Sequence, residues 1–310
     1  MKPTLLSILL ICLLAGCAQP RLAPAPIQPS QTDQPSATLT APVPTSTGTP
    51  APSLTPTVYL SPTPTPLPSP VDRTGQHAYQ VEVDDETVRF LLYFPESYPK
   101  HGEERKYPLI LFLHGSGQGG SQLERVAAGG LPQRLPGEPE FPFIVVSPQL
   151  PNLPQGCSAQ NVDDYMVQCG WVRYIERLEG LMKWMEVHTA IDPQREYLTG
   201  LSMGGFGAWE YAMRYPKRFA AVAPIAGGLE YARDKAPADI CTLKDLPVWA
   251  FHGELDTTVA PSFTTVLVEA LRKCGGSPKL TLYPNEGHSG SWNLAYSDQE
   301  LFDWMLSHQN

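Results

Sequence analysis

The chain has 310 residues, 42% of them apolar and 17% charged, with a formal net charge of −9 at pH 7. That length and apolar share allow a sizeable core, and the acidic balance argues against a nucleic-acid partner, whose phosphates favour basic surfaces. The 34 prolines exceed the usual globular share, and the excess is local: fifteen lie between Ala18 and Pro70, where Arg21 and Asp33 are the only charged residues.

Residues 1–17 read as a targeting signal. Lys2 supplies the positive end, Leu5 to Leu14 an apolar core too short for a stable span, and Ala15 and Gly16 small residues before Cys17. Leu14-Ala15-Gly16-Cys17 resembles the lipobox of bacterial lipoproteins. The resemblance implies cleavage before Cys17, acylation of that residue and anchoring to a membrane of a bacterial cell envelope, facing the extracytoplasmic side. Residues 18–70, rich in Pro, Thr, Ser and Ala, cannot bury enough apolar surface to offset ordering entropy. They are expected to form a disordered, polyproline-like spacer reaching at most about 160 Å at ~3.1 Å per residue.

From 71 to 310 the composition is that of one folded domain. Setting aside Lys2, Arg21 and Asp33 leaves 20 basic and 30 acidic residues there, a net charge of −10. Tyr79 to Val83 and Val88 to Phe94 alternate as an opening pair of strands, while Leu109 to Leu113 and Phe143 to Val146 are continuous apolar runs that suit buried parallel strands. Helical spacing follows over Leu178 to Val187 and Phe206 to Tyr215. Later strands are expected over Ala220 to Ile225, Val248 to Phe251 and Leu280 to Tyr283, with helices over Phe263 to Lys273 and Gln299 to Ser307. Such alternation predicts an α/β domain, its mostly parallel sheet covered by helices on both faces.

Four cysteines remain past Cys17: Cys157, Cys169, Cys241 and Cys274. In an oxidising compartment an even number favours disulfides, and the shortest loops pair Cys157 with Cys169 and Cys241 with Cys274. No His-Cys spacing resembles a zinc site, and neither metal nor organic cofactor is expected.

The stretch Gly200-Leu201-Ser202-Met203-Gly204, after the apolar Tyr197-Leu198-Thr199 and before a helix, has the form of a nucleophile elbow. Its glycines are expected to leave room for the neighbouring strand and helix and to accept the backbone angles of the turn. A serine hydroxyl needs a base held by a third group. Two later strand ends offer candidates, Phe251-His252-Gly253-Glu254-Leu255-Asp256 and Asn285-Glu286-Gly287-His288. Asp256 is preferred as the acid, with Glu254 as its rival and a helix cap as its bland role. His288, in a Gly-flanked loop, is preferred as the base; His252 is expected to pack or to bond the backbone. Backbone N–H groups of Met203 and of Ser116, within the Gly-rich stretch Leu113 to Gly120, are the expected oxyanion donors.

Tyr107-Pro108 leading into Leu109 to Gly117, Ser147-Pro148-Gln149, Tyr197 to Trp209, Phe219 to Gly228, Gly253 to Asp256 and Gly287 to Trp304 together resemble the carboxylesterase and putative-peptidase group of α/β-hydrolases. That group is similar to secreted feruloyl and polyhydroxyalkanoate-type esterases. The resemblance covers about residues 80–308 and implies an α/β-hydrolase fold with Ser202, Asp256 and His288 as triad. Ester cleavage through an acyl-enzyme is the favoured activity, with a serine peptidase and a non-catalytic surface binding protein as rivals. The segment Leu150 to Glu176 departs from the family pattern in its length and cysteine pair.

Between Gly228 and Leu246 only 19 residues separate the strand after the elbow helix from the strand bearing the acid, too few for a separate cap. An open site taking bulky or polymer-linked esters is therefore expected. Trp171 and Trp292 are its candidate walls, and each also fits a core position.

Overall fold

A computed structural model describes residues 74–98, 104–151, 170–229 and 234–310, all within a single unit, Pro62–Asn310. The signal segment with Cys17, the proline-rich stretch to residue 70, Cys157 and Cys169 lie outside the described residues. No described helix is long and apolar enough to cross a membrane.

β1 (Gly75–Val83) and β2 (Glu86–Phe94) form an antiparallel hairpin in which Val83 faces Glu86. The two linking residues, Asp84 and Asp85, have φ of 49° and 62°, the left-handed pair of a type I′ turn that matches the twist of the strands. β2 pairs antiparallel with β4 (Ile144–Gln149), and from β4 onward the sheet is parallel. Its order is β1-β2-β4-β3-β5-β6-β7-β8, with β3 at Tyr107–Leu113, β5 at Ile191–Leu201, β6 at Ala221–Ile225, β7 at Trp249–Gly253 and β8 at Lys279–Tyr283. This is the mostly parallel sheet that the sequence predicts.

The apolar run of β3 is continuous because both its faces are covered. Leu109, Leu111 and Leu113 enter one core, and Ile110 and Phe112 enter the other. The first core is completed by three helices. One spans Ile175–His188, another Met203–Arg214 and the third Ser262–Lys273; they contribute Leu181, Phe206 and Leu267 among others. Numbering the helices in chain order, with the four-residue turns Glu124–Ala127 and Leu131–Arg134 as α1 and α2, these are α3, α4 and α5. The second core is closed by α2, α6 (His288–Ser297) and α7 (Gln299–Leu306), through Leu131, Ala295, Leu301 and Phe302.

α6 is a correction. The sequence reading leaves His288 in a loop, whereas His288 opens this helix directly after Gly287. Ser289, Gly290 and Ser291 are weak helix formers, so the segment carries little local helical signal. A disulfide joins Cys241, in the 3-10 turn Ala238–Leu243, to Cys274 at the end of α5, with a Cα–Cα distance of 5.4 Å.

The order of strands also locates a crevice. From β3 the chain steps outward to β4, then returns to β5 on the other side of β3, so strand order reverses between β3 and β5. At such a switch point the loops leaving the strand ends part, and ligands of open α/β sheets bind there. The loop after β3 holds Ser116, and the turn after β5 holds Ser202.

Candidate active site

β5 runs directly into α4 through Ser202, which has φ 53° and ψ −119°. A positive φ at a non-glycine residue is strained and persists where surrounding structure enforces it. Here Ser202 N donates to Ile225 O at 2.9 Å, and Phe206 N donates to Ser202 O at 3.0 Å. Gly200 and Gly204 are not among the residues with positive φ, which corrects part of the sequence argument. Their role is room: a Cβ on Gly204 would lie 1.9 Å from Leu113 O, and one on Gly200 2.3 Å from Gly204 O. The strained angle belongs to the serine itself.

Ser202 Oγ lies 2.8 Å from His288 Nε2, and His288 Nδ1 lies 2.6 Å from Asp256 Oδ2. The three side chains come from the ends of β5, β7 and β8, and backbone contacts hold the last two loops together: Leu255 N donates to Glu286 O at 2.9 Å. Ser202 is 8% exposed and Asp256 5%. Burial alone would raise the Asp256 carboxyl, but hydrogen bonds from His252, His288 and the Val259 N–H outweigh it and hold the group well below the ordinary carboxylate range. Oδ1 accepts the N–H groups of Thr258 and Val259, each at 2.9 Å. Glu254, the rival acid, is exposed.

The loop after β3 is fastened from several sides. His114 is fully buried; its Nδ1 lies 2.7 Å from Gly115 O, and its Nε2 accepts the Leu150 N–H at 3.0 Å. Burial pushes this imidazole down to about 4, against a smaller opposing effect of the Gly115 carbonyl, so it is neutral near pH 7 with its proton on Nδ1. Gln118 accepts the Gly115 N–H at 3.1 Å and donates to Val126 O, and Gln149 donates to Gln118 O at 2.8 Å. A Cβ on Gly115 would stand 3.7 Å from Ser202 Cβ, so the backbone leading into Ser116 passes beside the serine. Met203, the other expected donor, is the first residue of α4. N–H groups fixed in this way need no reorganisation as charge develops on a substrate oxygen.

Trp171 requires a correction. Its side chain is only 1% exposed, its Nε1 donates to His114 O at 2.9 Å, and its ring meets the His114 imidazole edge-on at 4.8 Å. It therefore supports the loop from below and forms no wall facing substrate. Trp292 is half-buried, with its ring centroid 4.9 Å from that of His288. It borders an open cleft of about 480 Å³ that is also lined by Gln118, Gln133, Leu201 and Asn293.

Sequence reasoning missed the anchors His114, Gln118 and Gln149. His114 lies inside the Gly-rich stretch that drew attention, but nothing local signals its bond to Leu150. His252, expected to pack or to bond the backbone, bonds Val259 O at 2.9 Å; it also lies 3.1 Å from Asp256 Oδ2. Among the described residues no group of three or more His, Cys, Asp or Glu side chains is placed to hold a metal.

A family model described as "Putative esterase" matches residues 83–265, and one for the prolyl oligopeptidase family matches residues 228–310. A "Putative carboxymethylenebutenolidase" of Yersinia pestis is 27% identical over 145 residues, 42% of this chain and 53% of that protein. Poly(3-hydroxyalkanoate) depolymerase C of Paucimonas lemoignei is 34% identical over 111 residues, 27% of this chain and 26% of that protein. The chain thus spans about half the length of the first relative and a quarter of the second. Among solved structures, a thermostable esterase superposes with a TM-score of 0.60 at 27% identity, covering 76% of this chain and 63% of that one.

Proposed function

The chain belongs to the esterase family of the α/β-hydrolase fold, and from that premise we propose that it hydrolyses carboxylic esters through an acyl-enzyme on Ser202. The observation that carries this reading is the unbroken path from Ser202 Oγ through His288 to Asp256, with contacts of 2.8 and 2.6 Å. As Ser202 Oγ attacks the acyl carbonyl, His288 Nε2 takes the hydroxyl proton, while Asp256 holds the imidazole by its Nδ1–H and stabilises the imidazolium. The N–H groups of Met203 and Ser116 receive the oxyanion. His288 then returns the proton to the departing alcohol; a water that gives its proton to His288 attacks the acyl-enzyme, the bond to Ser202 Oγ breaks, and His288 reprotonates Ser202 as the acid product leaves.

Bulky or polymer-linked esters are the proposed substrates. The open cleft beside Trp292 and the partial likeness to a polyhydroxyalkanoate depolymerase support this. The segment Leu14 to Cys17 supports an extracytoplasmic enzyme tethered by lipid at Cys17 and carried out from the membrane on the proline-rich spacer. A second disulfide, Cys157 to Cys169, belongs to the same proposal.

Cleavage of peptide bonds is the second reading, favoured by the match of residues 228–310 to the prolyl oligopeptidase family. A panel of p-nitrophenyl esters, feruloyl and acetylated sugars, a polyhydroxyalkanoate film and peptide p-nitroanilides separates the two. Ester turnover with inert anilides supports the esterase, and faster anilide turnover overturns it. Fatty-acid labelling tests the anchor: the label is expected on the wild type and absent from Cys17→Ser, and label retained on that variant contradicts attachment at Cys17.

A further inference from the structure

Asp256 is held by four donors. Oδ1 takes the Thr258 and Val259 N–H groups, and Oδ2 faces His288 Nδ1 at 2.6 Å and His252 Nε2 at 3.1 Å. A carboxylate has about four lone-pair sites, so His252 completes the set. His252 is fully buried at the end of β7, and the Ser202-His288-Asp256 path makes no other use of it.

The hydrogen bonds around His252 determine its protons. Thr264 Oγ1 donates its single proton to Gly227 O at 2.6 Å, since a carbonyl oxygen can only accept. The 2.7 Å contact between Thr264 Oγ1 and His252 Nδ1 therefore needs a proton from the ring. On the other side of the ring, Nε2 faces Val259 O at 2.9 Å and Asp256 Oδ2 at 3.1 Å, both acceptors. Turning the Thr264 hydroxyl toward the ring would leave its oxygen against Gly227 O at 2.6 Å with no proton between them. A ring nitrogen without its proton would likewise point a lone pair at an oxygen, a costly arrangement in a dry interior. Both nitrogens thus carry N–H.

We propose that His252 is a doubly protonated positioning residue for the reaction, fixing Asp256 and setting the charge that His288 feels. The inference rests on the hydrolase reading given above. The charged group that His252 touches is Asp256, with His288 across that carboxylate; α5 presents Thr264, and the loop after β7 presents Val259 O. A cation on the far side of Asp256 offsets part of the negative charge that the carboxylate presents to His288.

Two measurements on the full chain test this. In the wild type labelled with 15N-histidine, both ring nitrogens of His252 are expected at N–H positions at pH 7. The chain has seven histidines, and variants of the other six assign His252 by elimination, whether or not a His252 variant folds. An unprotonated ring nitrogen on His252 overturns the proposal, and this readout needs no activity, so failure of the hydrolase reading is scored separately. In His252→Gln, kcat is expected to fall about 10²-fold, the cost of a small misplacement, with KM nearly unchanged. An unchanged kcat in a folded variant would mean that His252 only packs, and would overturn the proposal equally.

Discussion

Leu150 N donates a 3.0 Å hydrogen bond to His114 Nε2, tying the end of β4 to the loop that passes beside Ser202. That bond requires an unprotonated Nε2, and burial holds the imidazole down at about 4 against an ordinary 6.5. The unfolded chain therefore binds more protons than the folded one between those two values. This contribution to stability is full above pH 6.5 and is lost progressively as pH falls toward 4. His114→Gln, whose amide oxygen can accept from Leu150 N, is expected to flatten this part of the pH dependence. Thermal melts of both proteins between pH 4 and 7 check it, and parallel curves would contradict it.

Two glycines close in sequence terms to the site should behave in opposite ways. Gly204→Ala places a Cβ 1.9 Å from Leu113 O, backbone that cannot step aside, whereas a Cβ on Gly117 meets nothing within 4 Å. Gly204→Ala is expected to cost about 3 kcal/mol or more, and Gly117→Ala less than about 0.5 kcal/mol. Denaturant unfolding of the two variants measures both.

Cys241→Ser removes a crosslink spanning 33 residues of sequence. For a loop of that length the expected loss is about 3 to 4 kcal/mol, read as a lower unfolding midpoint in guanidinium. The bond ties the end of α5 to the 3-10 turn Ala238–Leu243, away from Ser202 and His288, so kcat on a soluble ester should change little below the melting range.

The two tryptophans once paired as walls now separate. Trp171→Ala is expected to lower the melting temperature and to depress turnover of small and large esters alike, since a buried Trp costs about 3 to 5 kcal/mol to truncate. Trp292→Ala is expected to spare stability and to raise KM for bulky aryl or polymeric esters more than for a short soluble one. Steady-state kinetics on the matched pair of substrates checks this division.

Much of the fold was legible because its signals are local. The continuous runs Leu109 to Leu113 and Phe143 to Val146 could hardly serve anything but buried strands, and Gly200 to Gly204 carried the elbow in five residues. The sequence singles out Asp256 and His288 because strand ends converge on one edge of the sheet, and the structure places the two side chains 2.6 Å apart. What stayed hidden depends on contacts across long sequence separations. Trp171 meets His114 across 57 residues, and nothing near either residue records the meeting. The start of α6 was masked by Ser289, Gly290 and Ser291, whose helix is secured by the core beneath Ala295 and Tyr296 rather than by propensity. The sequence leaves His252 to pack or to bond the backbone; its place on Asp256 appears only once the loop after β7 has folded back over it.

The central claim is that Ser202 is the nucleophile, activated through His288 by Asp256. Its most direct test is the rate of p-nitrophenyl ester hydrolysis by purified, folded Ser202→Ala beside wild type, with Asp256→Asn and Glu254→Gln as companions. The account predicts a loss on the order of 10⁶-fold for Ser202→Ala, about 10⁴-fold for Asp256→Asn and little change for Glu254→Gln. A Ser202→Ala protein that keeps more than a few per cent of wild-type turnover would contradict it.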